Sequence, residues 1–284
     1  MTNVKCNVVV ITGASGFIGH SCCEYFNQNG YDVIRVGRST QDDIYCDLER
    51  PESVLMLRDV DRCEAIVHLG AHVGLDNSSV EDMYMPNVVA TALIADIARA
   101  RGAHLVFAST VLISGLKTEQ ILSCTGNNPD TPYAYTKELA EQCIVASGVP
   151  ASILRIGGVF GLNGPQHLGL NRVIKDALYG QTPVIHGTGS GERNYIYVKD
   201  LASLIFQAVQ ARLAGIHLVS GPEILSIAEM YQSVCEVFGL ATGPLFSPGD
   251  STRSQIIHSS AKFMGTSSFR ASLNTIKELS RQVH

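Results

Sequence analysis

Tyr133 and Lys137 are the pair of residues in this chain whose types and spacing best fit proton-transfer chemistry. They stand four positions apart at the start of a predicted helix, so their side chains share one helix face. A lysine cation beside a phenol favours the phenolate and lowers the pKa of the phenol. The tyrosine could then take or give a proton at a sugar or alcohol oxygen near neutral pH. Thr110 ends a predicted strand and could hydrogen-bond the same oxygen. Tyr135 is a poorer candidate, because its spacing from Lys137 does not put the two on one face.

A glycine-rich turn follows the first predicted strand, at residues 8–12, and leads into a predicted helix. Gly13 permits a tight turn, Gly16 lets the backbone approach a pyrophosphate, and Gly19 lets the helix pack on the strand. The helix N-terminus adds unpaired N–H groups and a favourable dipole for an anion. The turn predicts a dinucleotide site, with a ligand-free glycine turn as the alternative.

The end of the second predicted strand, at residues 32–36, bears on which dinucleotide binds. A carboxylate at this point would accept hydrogen bonds from a ribose 2′-hydroxyl and repel a 2′-phosphate. The chain instead has Gly37, Arg38 and the hydroxyl of Ser39. Because arginine pairs well with phosphate, the sequence predicts NADP in preference to NAD. The alternative is that Arg38 is a solvated loop residue.

The order of the predicted elements indicates an α/β fold: a doubly wound parallel-sheet Rossmann domain with a smaller C-terminal substrate lobe. Further strands are predicted near residues 45–49, 65–69, 104–108, 151–156 and 216–219, with helices at 51–58, 87–101, 133–147 and 195–211. Glycine and proline cluster after residue 157. We therefore expect residues 1–160, with 192–220 returning, to form the dinucleotide-binding domain. Residues 161–191 and 221–284 would form the substrate-binding lobe.

The composition limits the classes of partner. Formal charge is −5 and no basic block occurs, so we expect neither nucleic acid nor an anionic membrane as a partner. The first residues lack a signal-peptide core, and the first apolar run is too short to span a bilayer, which predicts a cytoplasmic protein. The eight cysteines form no Cys-x-x-Cys and the nine histidines show no ligand spacing, so no metal is expected. Cys124 is interpreted as a passive loop residue rather than a catalytic thiol.

Several motifs in order resemble extended short-chain dehydrogenases/reductases of the NAD-dependent epimerase/dehydratase family, from residue 8 to about residue 230. The matching segments are Thr12 to Gly19, Cys46-Asp47-Leu48, His68-Leu69-Gly70-Ala71, Asn87, Thr110, Tyr133 with Lys137, Leu154 to Gly161, and Arg193 with Tyr197 to Asp200. The resemblance implies hydride transfer between a nicotinamide and the carbon that bears the oxygen served by the tyrosine. It also implies a nucleotide-sugar substrate and a homodimer formed through helices near 87–101 and 132–147.

Candidate site residues follow from these motifs. The catalytic residues would be Thr110, Tyr133 and Lys137, with Lys137 also binding the nicotinamide ribose. The candidate cofactor residues are Gly13, Ser15, Gly16, Phe17, Ile18, Gly19, Arg38, Ser39, Asp47, Leu48, Leu69, Gly70, Ala71, Asn87, Ser109, Lys137 and Ile156. The candidate substrate residues are His72, Thr110 and Arg193. Arg193 would contact the nucleotide diphosphate, the alternative being a surface salt bridge. His68 is interpreted as a core histidine, whereas the role of His72 is open.

Departures from the family pattern bear on the reaction. Dehydratases of this family carry Asp-Glu after the catalytic threonine, whereas Val111 and Leu112 stand here and neither can transfer a proton. Gly158 and Ser114 replace a usual asparagine and tyrosine, which puts the usual substrate pose in doubt. Gly37 and Arg38 replace the acid that is typical of NAD-using epimerases. This replacement favours an NADPH-dependent keto-sugar reductase. The alternatives are a nucleotide-sugar epimerase with tightly held NAD and a catalytically silent cofactor-binding regulatory protein.

Overall fold

The structure, a computed structural model, describes residues 7–74, 78–263 and 265–282. In chain order the strands are β1 (Val8–Thr12), β2 (Asp32–Gly37), β3 (Ile44–Tyr45), β4 (Ala65–His68), β5 (His104–Thr110), β6 (Gln120–Ile121), β7 (Ala151–Ile156), β8 (Val159–Phe160), β9 (Val184–His186), β10 (Glu192–Arg193), β11 (Ile196–Tyr197), β12 (Gly215–Val219), β13 (Leu225–Ser226), β14 (Leu245–Ser247) and β15 (Ile256–Ile257). The helices are α1 (Phe17–Gln28), α2 (Pro51–Val54), α3 (Val80–Tyr84), α4 (Ala90–Arg101), α5 (Pro132–Ser147), α6 (Gly169–Leu178), α7 (Val198–Gln210), α8 (Ile227–Phe238) and α9 (Phe269–Gln282).

Seven strands form one sheet in the order β3-β2-β1-β4-β5-β7-β12. Strand β1 pairs in parallel with β2 on one side and with β4 on the other. Strand order reverses at β1, and such a reversal opens a crevice at the carboxyl ends of parallel strands where ligands bind. The sheet confirms the predicted doubly wound α/β fold.

Burial on both faces explains why these strands are apolar runs rather than alternating patterns. All four residues of β4 are buried, as are the last four of β1. On one face of the sheet, Val10 of β1 and Ile66 of β4 join an apolar cluster. The same cluster contains Leu105 and Phe107 of β5 and Ile94 of α4. Helix α5, which carries the candidate tyrosine and lysine, packs on α4 and β5. The Thr131 hydroxyl caps its N-terminus, and Gly148 ends it in the left-handed conformation.

The contacts divide the chain into two compact units. The first comprises the described residues of Met1–Gly115, Gly126–Arg155 and Leu201–His217, and the second those of Leu116–Thr125, Ile156–Asp200 and Leu218–His284. These units differ from the predicted domain boundaries, because residues 116–125, 156–160, 192–200 and 218–220 group with the second unit. In the second unit, α8 packs against α6 and α9, and the rings of Phe160, Tyr197 and Phe269 form a cluster.

Two elements differ locally from their predicted form. The third strand ends at Tyr45, so Asp47 follows the strand rather than lying in it. The helix predicted from Asn87 is preceded by α3 and a π-helical segment, Met85–Val89, that runs directly into α4. Pro86 cannot donate a backbone hydrogen bond, and the wider π turn accommodates it. Among the described residues, no helix is long and apolar enough to span a membrane.

Candidate active site

The glycine turn between β1 and α1 forms a close-packed cradle. Gly13 has a φ of +67°, and a Cβ there would lie 2.8 Å from the Gly70 amide nitrogen. A Cβ at Gly19 would overlap the carbonyl oxygen of Gly13. Gly16 provides the N-cap of α1 without a side-chain hydrogen bond, so the first N–H groups of the helix face outward. The turn therefore fits a bound pyrophosphate, as its sequence predicts.

A cavity of about 290 Å³ lies beside this turn. Its lining residues are Thr12, Gly13, Ser15, Gly16, Val36, Gly37, Arg38, Cys46, Asp47, Leu48, Glu49, Leu69, Gly70, Ala71, His72 and Pro86. They include most of the predicted cofactor residues. The predicted cofactor residues outside this lining are Phe17, Ile18, Gly19, Ser39, Asn87, Ser109, Lys137 and Ile156. The glycine cradle, the helix N-terminus and the apolar Leu48 and Leu69 together suit a nicotinamide adenine dinucleotide.

Charged side chains meet at one end of this cavity. Arg38 is 68% exposed, and its Nη1 lies 4.0 Å from Asp47 Oδ1. Arg50 approaches the other carboxylate oxygen of Asp47 at 3.8 Å. Arg38, the predicted partner of a 2′-phosphate, therefore lines the cavity but also lies close to the carboxylate of Asp47. Glu49 adds a second carboxylate to the lining.

The loop after β4 is held by Asn87, which sequence analysis assigned to the cofactor. The Asn87 amide accepts a hydrogen bond from the His72 N–H and donates one to the His72 carbonyl, each at 2.8 Å. It also donates to Thr136 Oγ1 on α5 at 3.1 Å. Asn87 is buried with its polar atoms satisfied, so its observed contacts position the cavity wall. The His72 ring, predicted to meet substrate, lines the cavity and lies 3.7 Å from Glu49 Oε1.

His68 occupies the core position that its sequence context predicts. Its Nδ1 lies 2.6 Å from Thr12 Oγ1 and its Nε2 lies 3.0 Å from Thr91 Oγ1. Burial, reinforced by the nearby Lys137 cation, lowers the pKa of His68 to about 3. The ring is therefore neutral and links β1, β4 and α4 beneath the glycine turn.

Strand β5 and helix α5 bring the predicted catalytic residues together in the first unit. Lys137 is buried, and its Nζ donates a 2.7 Å hydrogen bond to the Ala108 carbonyl, two residues before Thr110. The same Nζ lies 4.4 Å from the Phe107 ring centroid and 5.8 Å from that of Tyr133. Thr110 is buried at the end of β5, where its Oγ1 accepts a hydrogen bond from the N–H of Leu112.

The electrostatics of this group differ from the predicted activation. Burial lowers the pKa of Lys137 to about 7, although the nearby Glu141 carboxylate opposes this effect. Burial raises the pKa of Tyr133 to about 12. The pKa of Tyr133 is therefore raised where the sequence predicts a lowering by the lysine, because desolvation dominates and the Lys137 amine bonds to a backbone carbonyl.

A buried ion pair that sequence analysis missed supports this group. Arg155 on β7 donates three hydrogen bonds to Glu141 on α5, the shortest at 2.7 Å. Ser109, predicted to meet the cofactor, donates to Glu141 Oε1 at 2.5 Å. Glu141 lies one helical turn after Lys137, a spacing that could have indicated it. The pair joins α5 to β5 and β7 beneath the catalytic residues.

Arg193 lies in the second unit, at the end of β10. Burial lowers the pKa of Arg193 and raises the pKa of Tyr195, while each charge favours the ionised form of the other. Tyr231 is close enough to Tyr195 and Arg172 for their charges to affect its pKa, which burial raises. A Cβ at Gly158 would overlap the Tyr195 ring. The Tyr195 ring therefore occupies the space into which the asparagine usual in the family would extend from this position. The cluster presents cations and phenols suited to an anionic ligand.

The cysteines and histidines give no evidence of metal chemistry in the described part of the chain. No three His, Cys, Asp or Glu side chains there converge to hold a metal ion. Cys124 is exposed and free, as a passive loop residue would be.

Comparison with known proteins gives a match at the level of the family. The model of the NAD dependent epimerase/dehydratase family matches residues 9–227. The 2-alkyl-3-oxoalkanoate reductase of Stenotrophomonas maltophilia is 26% identical over 255 residues, which cover 81% of this chain and 76% of that protein. A putative UDP-glucose 4-epimerase of Methanocaldococcus jannaschii is 26% identical over 259 residues, covering 82% and 83%. These similar chains differ in the reactions their names give.

A solved structure extends the similarity to the fold. The UDP-glucuronic acid 4-epimerase of Bacillus cereus, in complex with NAD, superposes with a TM-score of 0.79 at 18% identity. The match covers 98% of this chain and 97% of that one. At this identity the comparison shows the fold.

Proposed function

The chain belongs to the NAD dependent epimerase/dehydratase family, and we propose that it transfers hydride between a nicotinamide cofactor and one carbon of a nucleotide sugar. The single observation that carries the proposal is the placing of Lys137 and Tyr133 on α5 beside the end of β5, where Thr110 lies. This group and the dinucleotide cavity belong to the same compact unit.

Each residue has a role that its surroundings support. The cofactor, when bound, supplies or accepts the hydride. Tyr133 gives a proton to the sugar oxygen during reduction and takes it during oxidation. Thr110 holds the same oxygen by a hydrogen bond. Lys137 would leave the Ala108 carbonyl to bind ribose and favour the tyrosinate, which offsets the desolvation of the phenol.

The nucleotide-sugar substrate rests on the family and on the cluster around Arg193. A half-buried guanidinium pairs well with a diphosphate, because it offers charge and several donors in one plane. The phenols of Tyr195 and Tyr231 supply further hydroxyl groups nearby. A relative and a structural neighbour carry names of enzymes that act on UDP-sugars, which supports the same substrate class.

Two versions of this reaction remain, and each has its own support. An NADPH-dependent reductase of a keto sugar is favoured by Arg38, which lines the cofactor cavity. An epimerase that retains NAD is favoured by the carboxylate of Asp42, which lies against Gly37, the last residue of β2. A dehydratase is disfavoured, because Val111 and Leu112 carry no proton. A silent regulatory protein is disfavoured by the intact catalytic residues.

The first experiment identifies the nucleotide that the protein itself retains. The full chain is purified without added cofactor and denatured, and any released dinucleotide is quantified. Near-stoichiometric NAD supports the epimerase, since an epimerase regenerates its cofactor in each turnover. An empty site that prefers NADPH supports the reductase. A protein that binds no nicotinamide dinucleotide would contradict both versions.

We further propose that the protein forms a homodimer through α4 and α5. Large apolar side chains are exposed on α5 and on the segment that precedes α4, namely Val145, Tyr135, Tyr84 and Met85. Such side chains are favourable at an interface between subunits. Light scattering of the purified chain tests this proposal, and a monomeric mass would contradict it.

A further inference from the structure

The loop after β2 folds back, and the carboxylate of Asp42 in this loop lies beside Gly37 at the end of the strand. The Asp42 N–H donates to the Ser39 carbonyl at 3.1 Å, and the Ser39 N–H donates to Asp42 Oδ2 at 2.9 Å. The next residue, Asp43, pairs with Arg35 by backbone and side-chain hydrogen bonds of 2.9 and 2.8 Å. These bonds fix the position of the Asp42 carboxylate.

That carboxylate occupies the space that a side chain at Gly37 would fill. A Cβ built on Gly37 would lie 2.5 Å from Asp42 Oδ2 and 3.6 Å from Ser15 Oγ. Gly37 and Ser15 both line the dinucleotide cavity. The missing acid at the end of β2 is therefore replaced in space by an acid five positions later in the chain.

One oxygen of the buried Asp42 carboxylate makes no hydrogen bond. The Asp42 side chain is fully buried, and the oxygen without a hydrogen-bond partner is Oδ1. The Arg35 Nε lies 3.7 Å from Oδ1, which is an ion pair without a hydrogen bond. The other arginine nearby, Arg38, lies toward Asp47. A charge held in a low-dielectric wall acts strongly on a second charge placed beside it.

We infer that Asp42 makes this enzyme prefer NAD(H) to NADP(H). The inference rests on the proposed function and refines its cofactor. A ribose 2′-hydroxyl beside Gly37 carries no charge and would be tolerated, whereas a 2′-phosphate would be repelled by the buried carboxylate behind Gly37. Among the described residues of the cavity lining, Asp47 and Glu49 are acids and Arg38 is the one arginine or lysine. The sequence predicts NADP because Gly37 and Arg38 stand where an acid is usual, whereas in the structure the Asp42 carboxylate lies against Gly37.

Binding measurements on the full chain, freed of nucleotide, test this inference without any need for turnover. NADH and NADPH are titrated into the natural protein and into Asp42→Asn, which keeps an oxygen that can accept from Ser39. We expect the natural protein to bind NADH at least about tenfold more tightly than NADPH. Asp42→Asn should reduce that ratio by about tenfold, chiefly through tighter NADPH binding. Asp42→Ser provides a second neutral variant should the first fail to fold.

Asp43→Asn is the matched control, because it removes one negative charge at the residue next to Asp42. The Asp43 carboxylate accepts a hydrogen bond from the Arg35 N–H. This substitution should leave the ratio nearly unchanged. Equal affinities or an NADPH preference in the natural protein would overturn the inference. So would an unchanged ratio in both Asp42 variants, or an equal change in the Asp43 control. If neither dinucleotide binds the natural protein, the proposed function fails, and the inference fails with it.

Discussion

His68 Nε2 lies 3.0 Å from Thr91 Oγ1, and this contact determines the tautomer of the ring. The Thr91 hydroxyl donates its only proton to the Asn87 carbonyl at 2.6 Å, so it must accept from His68. Nε2 therefore carries the proton, and Nδ1 accepts from the Thr12 hydroxyl at 2.6 Å. The Gly70 N–H in turn points at Thr12 Oγ1 at 3.4 Å. A directed series of hydrogen bonds thus connects the cofactor loop to the π-helical segment.

A neutral His68 makes stability depend on pH in a predictable direction. The pKa of His68 is about 3 in the folded chain and near 6.5 when unfolded, so the unfolded state binds more protons between these values. Its stabilising contribution is complete above pH 6.5 and is lost as the pH falls toward 3. We expect the free energy of unfolding to decrease more between pH 7 and pH 5 in the natural chain than in His68→Gln. Urea unfolding at both pH values measures this, and equal decreases would contradict it.

Tyr133→Phe should abolish turnover by removing the proton that the reaction exchanges. General acid catalysis of this kind contributes about 100-fold or more in rate. Dinucleotide affinity should change little, because Tyr133 is not part of the cavity lining. Tyr135→Phe on the same helix is the control, since its exposed ring lies on another face, and it should keep full activity. Steady-state kinetics with cofactor titrations measure both effects, and retained activity in Tyr133→Phe would exclude the assigned role.

Glu141→Gln should destabilise the chain strongly, because it leaves Arg155 charged and unpaired in the interior. Breaking a buried ion pair by removing one partner costs about 3–5 kcal/mol. Both side chains of this pair are at least nine-tenths buried. The exposed pair of Glu236 and Arg270 is the control, and Glu236→Gln should cost far less, because solvent screens this pair. Chemical unfolding measures the free energy of unfolding of both variants. Similar losses of stability would contradict the prediction that burial determines the cost of breaking an ion pair.

The sequence predicts the sheet well, because its strands are apolar runs separated by glycine and by helical periodicity. The glycine turn and the helix carrying Tyr133 and Lys137 are predictable for a similar reason, since local spacing defines them. The Asp42 carboxylate is not predictable in this way, because a five-residue loop brings it back to Gly37. Lys137 shows the same limit. Its position follows from spacing, but its low pKa depends on burial against Phe107.

Arg38→Glu should weaken NADPH binding more than NADH binding. Among the described residues that line the dinucleotide cavity, Arg38 is the only arginine or lysine, so replacing it by an acid removes the partner of any 2′-phosphate. NADH lacks that phosphate and should lose less affinity. Arg50→Glu is the control, because Arg50 also approaches Asp47 at 3.8 Å but does not line the cavity. Fluorescence titration of the two nucleotides measures the ratio, and equal losses for Arg38→Glu would remove its assigned contact.

Arg193→Met should weaken binding of a nucleoside diphosphate and leave dinucleotide binding intact. A hydrogen bond to a charged group is worth roughly 1.5–3 kcal/mol, which corresponds to a loss of about tenfold or more. Burial already lowers the pKa of Arg193, which shows that its charge is partly desolvated and would gain from an anionic partner. Arg253→Met is the control, since Arg253 belongs to the same unit but is exposed. Calorimetry with UDP and with UDP-glucose provides the affinities. If both variants bind UDP as the natural chain does, Arg193 is a surface residue and the diphosphate is held by other groups.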